Sequence, residues 1–89
     1  MSKDGLVRRI LKKGYKVSVD DGSDLVLIKS HSLPEVKGAM LGKKDLLWIY
    51  DRQGNKLGWM QVNSPVGKVL DYSTRDKRIS DLVAEEFIG

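Results

Sequence analysis

The first regular pattern along the chain is that of a helix. In residues 5–16, GLVRRILKKGYK, the apolar side chains recur at a spacing that places them on one side of a helical wheel. That side consists of Leu6, Val7, Ile10 and Leu11, and the opposite side consists of Arg8, Arg9, Lys12 and Lys13. Gly14 follows as a residue type that commonly ends a helix. The pattern predicts an amphipathic helix with a buried apolar side and a cationic outer side.

Beyond this helix the hydrophobic period changes to that of a β-strand. Val17 and Val19 alternate with polar residues, and the turn sequence DDGSD precedes the apolar run LVLIK. These features predict a β-hairpin that turns at Asp21-Gly22. Because the second strand, residues 25–29, is almost entirely apolar, we expect it to lie in the centre of a sheet with both faces covered.

A short second helix is predicted over residues 33–41. Ser32 and Glu35 have the spacing of a capping box, and Pro34 lies in the first turn, where proline is well tolerated. Gly42 marks its end. The buried side of this helix would consist of Leu33, Val36, Met40 and Leu41.

The clearest hairpin signal is DLLWIYDRQGNKLGWMQV, residues 45–62, in which two apolar-rich segments flank RQGN. Two registers are open: a four-residue loop pairs Trp48 with Trp59, and a two-residue loop pairs Tyr50 with Trp59. Both place these three aromatic residues on one face and the aliphatic residues on the other. The aliphatic face consists of Leu47, Ile49, Met60 and Val62. Residues 66–72 can add a fifth strand.

The C-terminal segment predicts a last helix with Ser73 as its N-cap. Its apolar side consists of Ile79, Leu82, Val83 and Phe87. The acids Asp81, Glu85 and Glu86 lie late in this helix, where the dipole disfavours them. They are interpreted first as a solvated acidic face, and a basic neighbour is the alternative. The predicted fold is a single α+β domain over residues 1–89. It has a mostly antiparallel sheet of four or five strands, packed on one face by the N- and C-terminal helices, and a short middle helix.

Composition limits the classes of function. The chain has no cysteine and a single histidine, so neither a disulfide framework nor a metal cage is expected, and no cofactor fingerprint is present. No apolar run approaches the ~20 residues of a membrane span, and the start lacks the features of a signal peptide. We therefore expect a cytoplasmic protein, for example one from a phage or another mobile element, without a membrane partner.

Catalysis is not expected. His31 is the only histidine, and no catalytic motif surrounds it, so it is interpreted as a surface residue near the second helix. The acids Asp20, Asp21 and Asp24 have the spacing of turn residues and not that of a calcium loop.

Residues 6–24 combine a basic amphipathic helix, Gly14-Tyr15, a strand and Gly22-Ser23. This segment resembles the start of HicA-type toxins, small RNA-cleaving proteins with a fold like that of double-stranded-RNA-binding domains. Those toxins place a catalytic histidine where this chain has Asp24. The resemblance implies a related shape without cleavage.

Charge is distributed in blocks, with six cations and one acid in residues 1–16 but three acids and no cation in residues 17–28. This asymmetry suits an anionic partner or self-association into a homo-oligomer. The first hypothesis is a small non-enzymatic nucleic-acid-binding protein, for example a regulator of DNA or RNA, that uses the basic helix side, along which no acid is expected to pair. Its phosphate contacts would come from Arg8, Arg9, Lys12, Lys13, Lys16, Lys43, Lys44, Arg52 and Lys56.

The second hypothesis is a protein-interaction module, such as a small subunit, adaptor or inhibitor. It would dock through the acidic last helix or through an aromatic face formed by Trp48, Tyr50 and Trp59.

Overall fold

The computed structural model describes residues 3–40 and 43–88, with side chains for residues 4–40 and 43–85. Three helices and five strands form the predicted α+β architecture. In chain order they are α1 (Lys3–Lys12), β1 (Lys16–Asp20), β2 (Leu25–Ser30), α2 (Leu33–Ala39), β3 (Lys44–Tyr50), β4 (Lys56–Asn63), β5 (Lys68–Tyr72) and α3 (Lys77–Ile88).

The strands form one sheet in the order β2-β1-β3-β4-β5, and every neighbouring pair is antiparallel. In the β3–β4 hairpin Trp48 pairs with Trp59, as the four-residue loop predicts. A register shift after Ile49 then pairs Tyr50 with Lys56. This bulge lies between the paired tryptophans and the loop at residues 51–55.

The prediction that the second strand lies centrally is wrong, because β2 is an edge strand. Leu25 and Ile28 of β2 are 48% and 68% exposed. The chain leaves β2 through α2 and returns on the other side of β1, so β3 pairs with β1. An apolar run is typical of a central strand, but the order of strands in a sheet depends on this long-range connection.

One face of the sheet is covered by the helices, and the core lies between them. Val17 and Val19 of β1 are fully buried there, together with the predicted aliphatic face of the β3–β4 hairpin. The helices contribute Leu6, Val7, Ile10, Leu11, Val36, Met40, Ile79, Leu82 and Val83. The opposite face, which we call the open face, carries Trp48, Tyr50 and Trp59, all half-buried. This division confirms the predicted two-sided pattern of the hairpin.

The first two helices have the predicted caps. Gly14 follows α1 at a φ of +88°, and its N–H donates to the carbonyl of Leu11 over 2.9 Å. At α2 the Ser32 hydroxyl accepts from the N–H of Glu35 over 3.4 Å, whereas the Glu35 carboxylate accepts from the Ser30 hydroxyl. The helix ends at Ala39, and the predicted contributions of Leu41 and Gly42 lie outside the described residues.

The last helix begins later than predicted. Its cap is Asp76, whose carboxylate accepts the N–H of Arg78 over 2.9 Å, and not Ser73. Ser73 instead pairs with β4: its N–H donates to the carbonyl of Trp59, and its hydroxyl accepts the N–H of Trp59, both over 3.0 Å. The Ser73 hydroxyl, which was predicted to cap the helix, therefore bonds to the sheet instead. The side chains of Glu86 and Phe87 lie outside the described ones.

A buried polar pair holds the far end of the β3–β4 hairpin. Asp45 and Ser64 are almost completely buried, and the Ser64 hydroxyl donates to the Asp45 carboxylate. The N–H of Ser64 also donates to the carbonyl of Lys43 over 3.2 Å. Because buried polar groups need such partners, this pair fixes how the chain leaves β4.

Candidate functional site

A basic cleft opens where α1 ends. Gly14 separates Lys12 of α1 from Lys16 of β1, and the β3–β4 loop brings Arg52 to the same place. The Arg52 side chain lies against the backbone of Gly14, at a position where any Cβ on residue 14 would overlap it. With Leu11 and His31 these residues line an open cleft of about 410 Å³. The basic cleft thus collects three cations from three separate parts of the sequence.

The aromatic side chains of the open face lie beside this cleft. Trp48 and Trp59 are cross-strand partners, and Tyr50 pairs with Lys16 of the cleft on its other side. Two lysine amines lie over the rings. Lys56 Nζ is 4.4 Å from the Trp48 ring centroid, and Lys29 Nζ is 4.9 Å from that of Tyr50. We call Trp48, Tyr50, Trp59, Lys29 and Lys56 the aromatic patch.

A shallow cleft of about 250 Å³ continues the aromatic patch toward β5. It is lined by Leu46, Trp48, Trp59, Gln61 and Asp71. Asp71 is the only acid in this lining. The cleft therefore offers flat ring surface with polar groups at its border, which suits a planar ligand better than an extended apolar one.

Asp51 is the acid nearest in sequence to Arg52, and its carboxylate is occupied by its own loop. It accepts the backbone N–H groups of Asn55 over 2.8 Å and Gln53 over 3.0 Å, and the Asn55 amide over 3.2 Å. These bonds lower the pKa of Asp51 below its usual range, and the bond from the Asn55 N–H has the largest effect. The charge of Asp51 is therefore directed into the hairpin loop, and the loop presents Arg52 to the cleft.

His31 contributes a polar ring to the basic cleft. Its Nδ1 lies 3.0 Å from the carbonyl oxygen of Tyr15, and since a carbonyl can only accept, Nδ1–H is the donor. The remaining ring nitrogen, Nε2, is an acceptor when the ring is neutral and a donor when it is protonated. The ring is exposed, as the sequence predicted for this residue.

Most of the cationic side of α1 does not belong to this site. Arg8 forms an ion pair with Asp4 over 2.8 Å, contrary to the expectation that no acid pairs along this side, and Asp4 also contacts Lys37. Lys13 forms an ion pair with Glu85 of α3 over 2.8 Å, and this contact raises the pKa of Lys13. Glu85 thus has a basic neighbour, which was the alternative to a purely solvated acidic face. Arg9 is half-buried.

The other predicted phosphate contacts divide between the two ends of the sheet. Lys16, Arg52 and Lys56 lie at the end where β3 finishes. Lys43 and Lys44 lie at the opposite end of β3, where Lys44 pairs with Asn63. The structure therefore brings together Lys12, Lys16, Arg52 and Lys56 of the nine predicted contacts, and it leaves Lys43 and Lys44 apart.

Sequence reasoning missed Lys29. It ends the apolar run of β2 in the left-handed region, at a φ of +44°, and its N–H donates to the buried Ser18 hydroxyl over 2.9 Å. The strand-end bulge directs its amine toward Tyr50 and Gly54 of the neighbouring hairpin. Lys29 is the only charged residue in LVLIKS, and this was the available signal, but the direction of its side chain depended on the bulge.

The part of the chain that the structure describes was also compared with what a metal site and a membrane span require. No group of three or more His, Cys, Asp or Glu side chains among these residues could hold a metal ion. None of the helices within residues 3–40 and 43–88 has the length and apolar character needed to span a membrane. The candidate site is therefore the basic cleft together with the aromatic patch.

Comparison with known proteins finds no family model that matches the chain, no similar curated protein and no similar solved structure. The resemblance of residues 6–24 to HicA-type toxins thus gains no support from a family model. Any inference about function rests on the chemistry of the candidate site.

Proposed function

We propose that the protein binds single-stranded nucleic acid, without cleaving it, at the basic cleft and the aromatic patch. One observation carries this proposal: two lysine amines lie within 5 Å of the centroids of aromatic rings, 4.4 Å for Lys56 over Trp48 and 4.9 Å for Lys29 over Tyr50. Phosphate-binding groups and base-stacking surfaces are thus interleaved on one end of the sheet. This combination is typical of proteins that bind unpaired strands without sequence preference.

The aromatic patch supplies the stacking part. A lysine amine lies over the ring of Trp48 and another over that of Tyr50, and both aromatic residues are partly exposed. An unpaired base that stacks on the ring replaces a cation–π contact of about 0.5–1 kcal/mol at an exposed site. Base stacking contributes about 1–3 kcal/mol to binding, and the displaced lysine ammonium stays close enough to bind the adjoining phosphate.

The basic cleft would contact the sugar-phosphate backbone of the nucleic acid beyond the aromatic patch. Lys16 borders both parts of the site, because it lines the cleft and pairs with Tyr50. Arg52 and Lys12 extend the cationic surface around Gly14. A strand whose bases lie on the aromatic patch therefore meets further cations beyond it. Since the proposed contacts are to phosphates and to the faces of bases, the binding is expected to depend strongly on salt and weakly on sequence.

The alternative of a protein-interaction module is less well supported at the surfaces that the sequence suggested. The aromatic rings are half-buried and carry lysines, whereas the centre of a protein interface is usually depleted of charge. On the acidic helix, Glu85 is already paired with Lys13. These contacts favour an anionic ligand with flat rings.

The test compares two triple variants with equal net charge. K16Q/R52Q/K56Q removes three cations from the site, and K43Q/K44Q/K68Q removes three exposed cations from the opposite end of the sheet. Binding is measured by fluorescence anisotropy with labelled single-stranded RNA and DNA of mixed sequence, from ~50 mM salt upward. Each triple lowers the formal net charge from +4 to +1, so non-specific attraction changes equally.

The site variant should bind at least ~10-fold more weakly at low salt. The slope of log K against log salt should fall by roughly 2, since each lost single-strand contact contributes about 0.7. The control variant should keep the slope of the unmodified protein. Equal losses in both triples would contradict a localised site, and the absence of binding at ~50 mM salt would refute the proposed function.

A further inference from the structure

The basic cleft carries positive charge that no acid in the described part of the chain neutralises. Among the described residues its lining includes Lys12, Lys16 and Arg52 but no Asp or Glu. These three cations form no ion pair with a described residue, whereas Arg8 and Lys13 of α1 are paired with acids. A cleft lined by charges of one sign concentrates ions of the opposite sign. We propose that the basic cleft binds the terminal phosphate of a nucleic-acid strand, a phosphate monoester. This inference rests on the proposed function and deepens it.

The chemistry of its phosphate distinguishes the end of a strand from the middle. A phosphate inside a strand is a diester and carries a single negative charge. A terminal phosphate is a monoester with a charge of about −1.5 to −2 at pH 7 and three strong acceptor oxygens. The basic cleft collects three cations from three parts of the chain. This set matches the charge and the acceptor oxygens of a monoester better than the single charge of a diester.

Arg52 is the cation of the cleft whose side chain is held by a close contact. It lies against the backbone of Gly14, where a Cβ on residue 14 would lie 3.0 Å from Arg52 Cγ and 3.1 Å from Cδ and would overlap Nε. The loop that carries Arg52 is fixed as well, since the Asp51 carboxylate accepts the N–H groups of Gln53 and Asn55. An arginine binds phosphate through two parallel N–H donors, which a lysine cannot provide. We therefore assign the main contact with the terminal phosphate to Arg52.

A second cleft, of about 300 Å³, includes the residues on either side of Gly14. It is lined by Lys13, Tyr15, Arg78, Asp81, Ala84 and Glu85. Both of its cations are already paired with acids, Lys13 with Glu85 over 2.8 Å and Arg78 with Asp76 over 2.9 Å. Asp81 adds a further negative charge. A strand that continued past Gly14 would meet acids whose neighbouring cations are occupied, so we expect the strand to end in the basic cleft.

The aromatic patch joins the basic cleft at Lys16. Lys16 lines the cleft, and its cross-strand partner is Tyr50. Directly opposed residues of antiparallel strands have neighbouring side chains on one face of the sheet. The ring of Tyr50 is therefore placed to stack the last base of a strand while the terminal phosphate enters the cleft. The cleft volume of about 410 Å³ lies within the range of small-ligand sites, roughly 300–1,000 Å³, and is ample for a phosphate group.

The test compares forms of one mixed-sequence single strand that differ only at their ends and carry a fluorophore on an internal base. The ends are hydroxyls, a 5′-phosphate, a 3′-phosphate, or the methyl ester of whichever phosphate binds more tightly. Binding is measured by fluorescence anisotropy at ~150 mM salt, where weak non-specific attraction is screened. One phosphorylated form should bind at least ~10-fold more tightly than the hydroxyl form, because charge-assisted hydrogen bonds to phosphate are strong. Its methyl ester is a diester and should lose most of this gain.

Two matched variants locate the preference for a phosphorylated end. R52K keeps the positive charge and removes the pair of parallel donors, so the ratio of the two affinities should fall below ~3-fold. R8K makes the same change at a residue that is paired with Asp4 outside the basic cleft, and it should keep the ratio of the unmodified protein. Both arginines are exposed, and circular dichroism checks that both variants remain folded.

The outcomes keep this inference apart from the proposed function. Equal affinities for phosphate and hydroxyl ends would overturn the inference and leave single-strand binding intact. Equal gains from the 5′- and 3′-phosphates would indicate the added charge alone and would also overturn it, as would equal effects of R52K and R8K. If no form of the strand binds even at ~50 mM salt, the proposed function fails and this inference fails with it.

Discussion

Gly58 is a position where one added methyl group should be poorly tolerated. It lies on β4 facing α3, and a Cβ there would lie 2.9 Å from Ile79 Cγ1 and would overlap the hydroxyl of Ser73. That hydroxyl bonds the backbone of Trp59, and Ile79 is fully buried, so neither group can move freely. Overpacking at such sites costs about 1–3 kcal/mol, and we expect G58A to be destabilised by this amount.

The matched control is G38A. Gly38 lies on α2, and a Cβ there would meet no atom within 4 Å. Alanine is better than glycine in a helix by up to about 1 kcal/mol, so G38A should be slightly stabilised. The two variants make the same chemical change, and their free energies of unfolding should differ by roughly 1–4 kcal/mol.

The assay is urea unfolding followed by tryptophan fluorescence and, separately, by circular dichroism. A loss of 1 kcal/mol in a domain of this size corresponds to roughly 4–8 °C in Tm, which is readily measured. Adding S73A to G58A removes the overlapping hydroxyl and leaves Cβ of residue 73 at an ordinary 3.5 Å. The double variant should therefore lose less stability than the sum of the two single variants. A G58A protein as stable as the unmodified one would refute the packing argument.

The remaining predictions concern buried and charged polar groups. S64A should destabilise the fold by about 1–3 kcal/mol in the same urea assay, because the buried carboxylate of Asp45 loses its hydroxyl donor. An unchanged midpoint would contradict that role. The pKa of Asp51 is lowered mainly by the N–H of Asn55, so this group stabilises the fold above the unfolded-state pKa and the contribution is lost as pH falls through the folded-state value. Unfolding midpoints should therefore drop below pH ~4, and the drop should be smaller in D51N, which cannot titrate at this position.

The sequence predicted the elements of this fold well because their signals are local. Hydrophobic spacing identified α1 and both hairpins, and the capping residues around Ser32 located the start of α2. The same reasoning failed at α3, where Ser73 and Asp76 are both suitable caps. The decision depended on β4, because pairing with the backbone of Trp59 occupies Ser73 and leaves the helix to begin after Asp76.

The candidate site was predicted only in part. The sequence identified cations and aromatic residues, but it treated the basic side of the first helix as the main contact and the hairpin cations as assisting it. The tertiary structure separated them, because Arg8 is paired with Asp4 and Lys13 with Glu85. The length of β3 separates Lys43 from the hairpin loop. The missed residue, Lys29, joins the site through a bulge that no spacing rule anticipates.

The sequence by itself thus determined which residues are buried in α1 and in the β3–β4 hairpin, because periodicity and turn chemistry act within a few residues of the chain. Only the tertiary structure decided that β2 lies at the edge of the sheet and that Lys12, Lys16, Lys29, Arg52 and Lys56 share one end of it. Both outcomes depend on the path from β2 through α2 to β3. Contacts between distant segments set that path, and the spacing of residues within one segment does not predict their free energies.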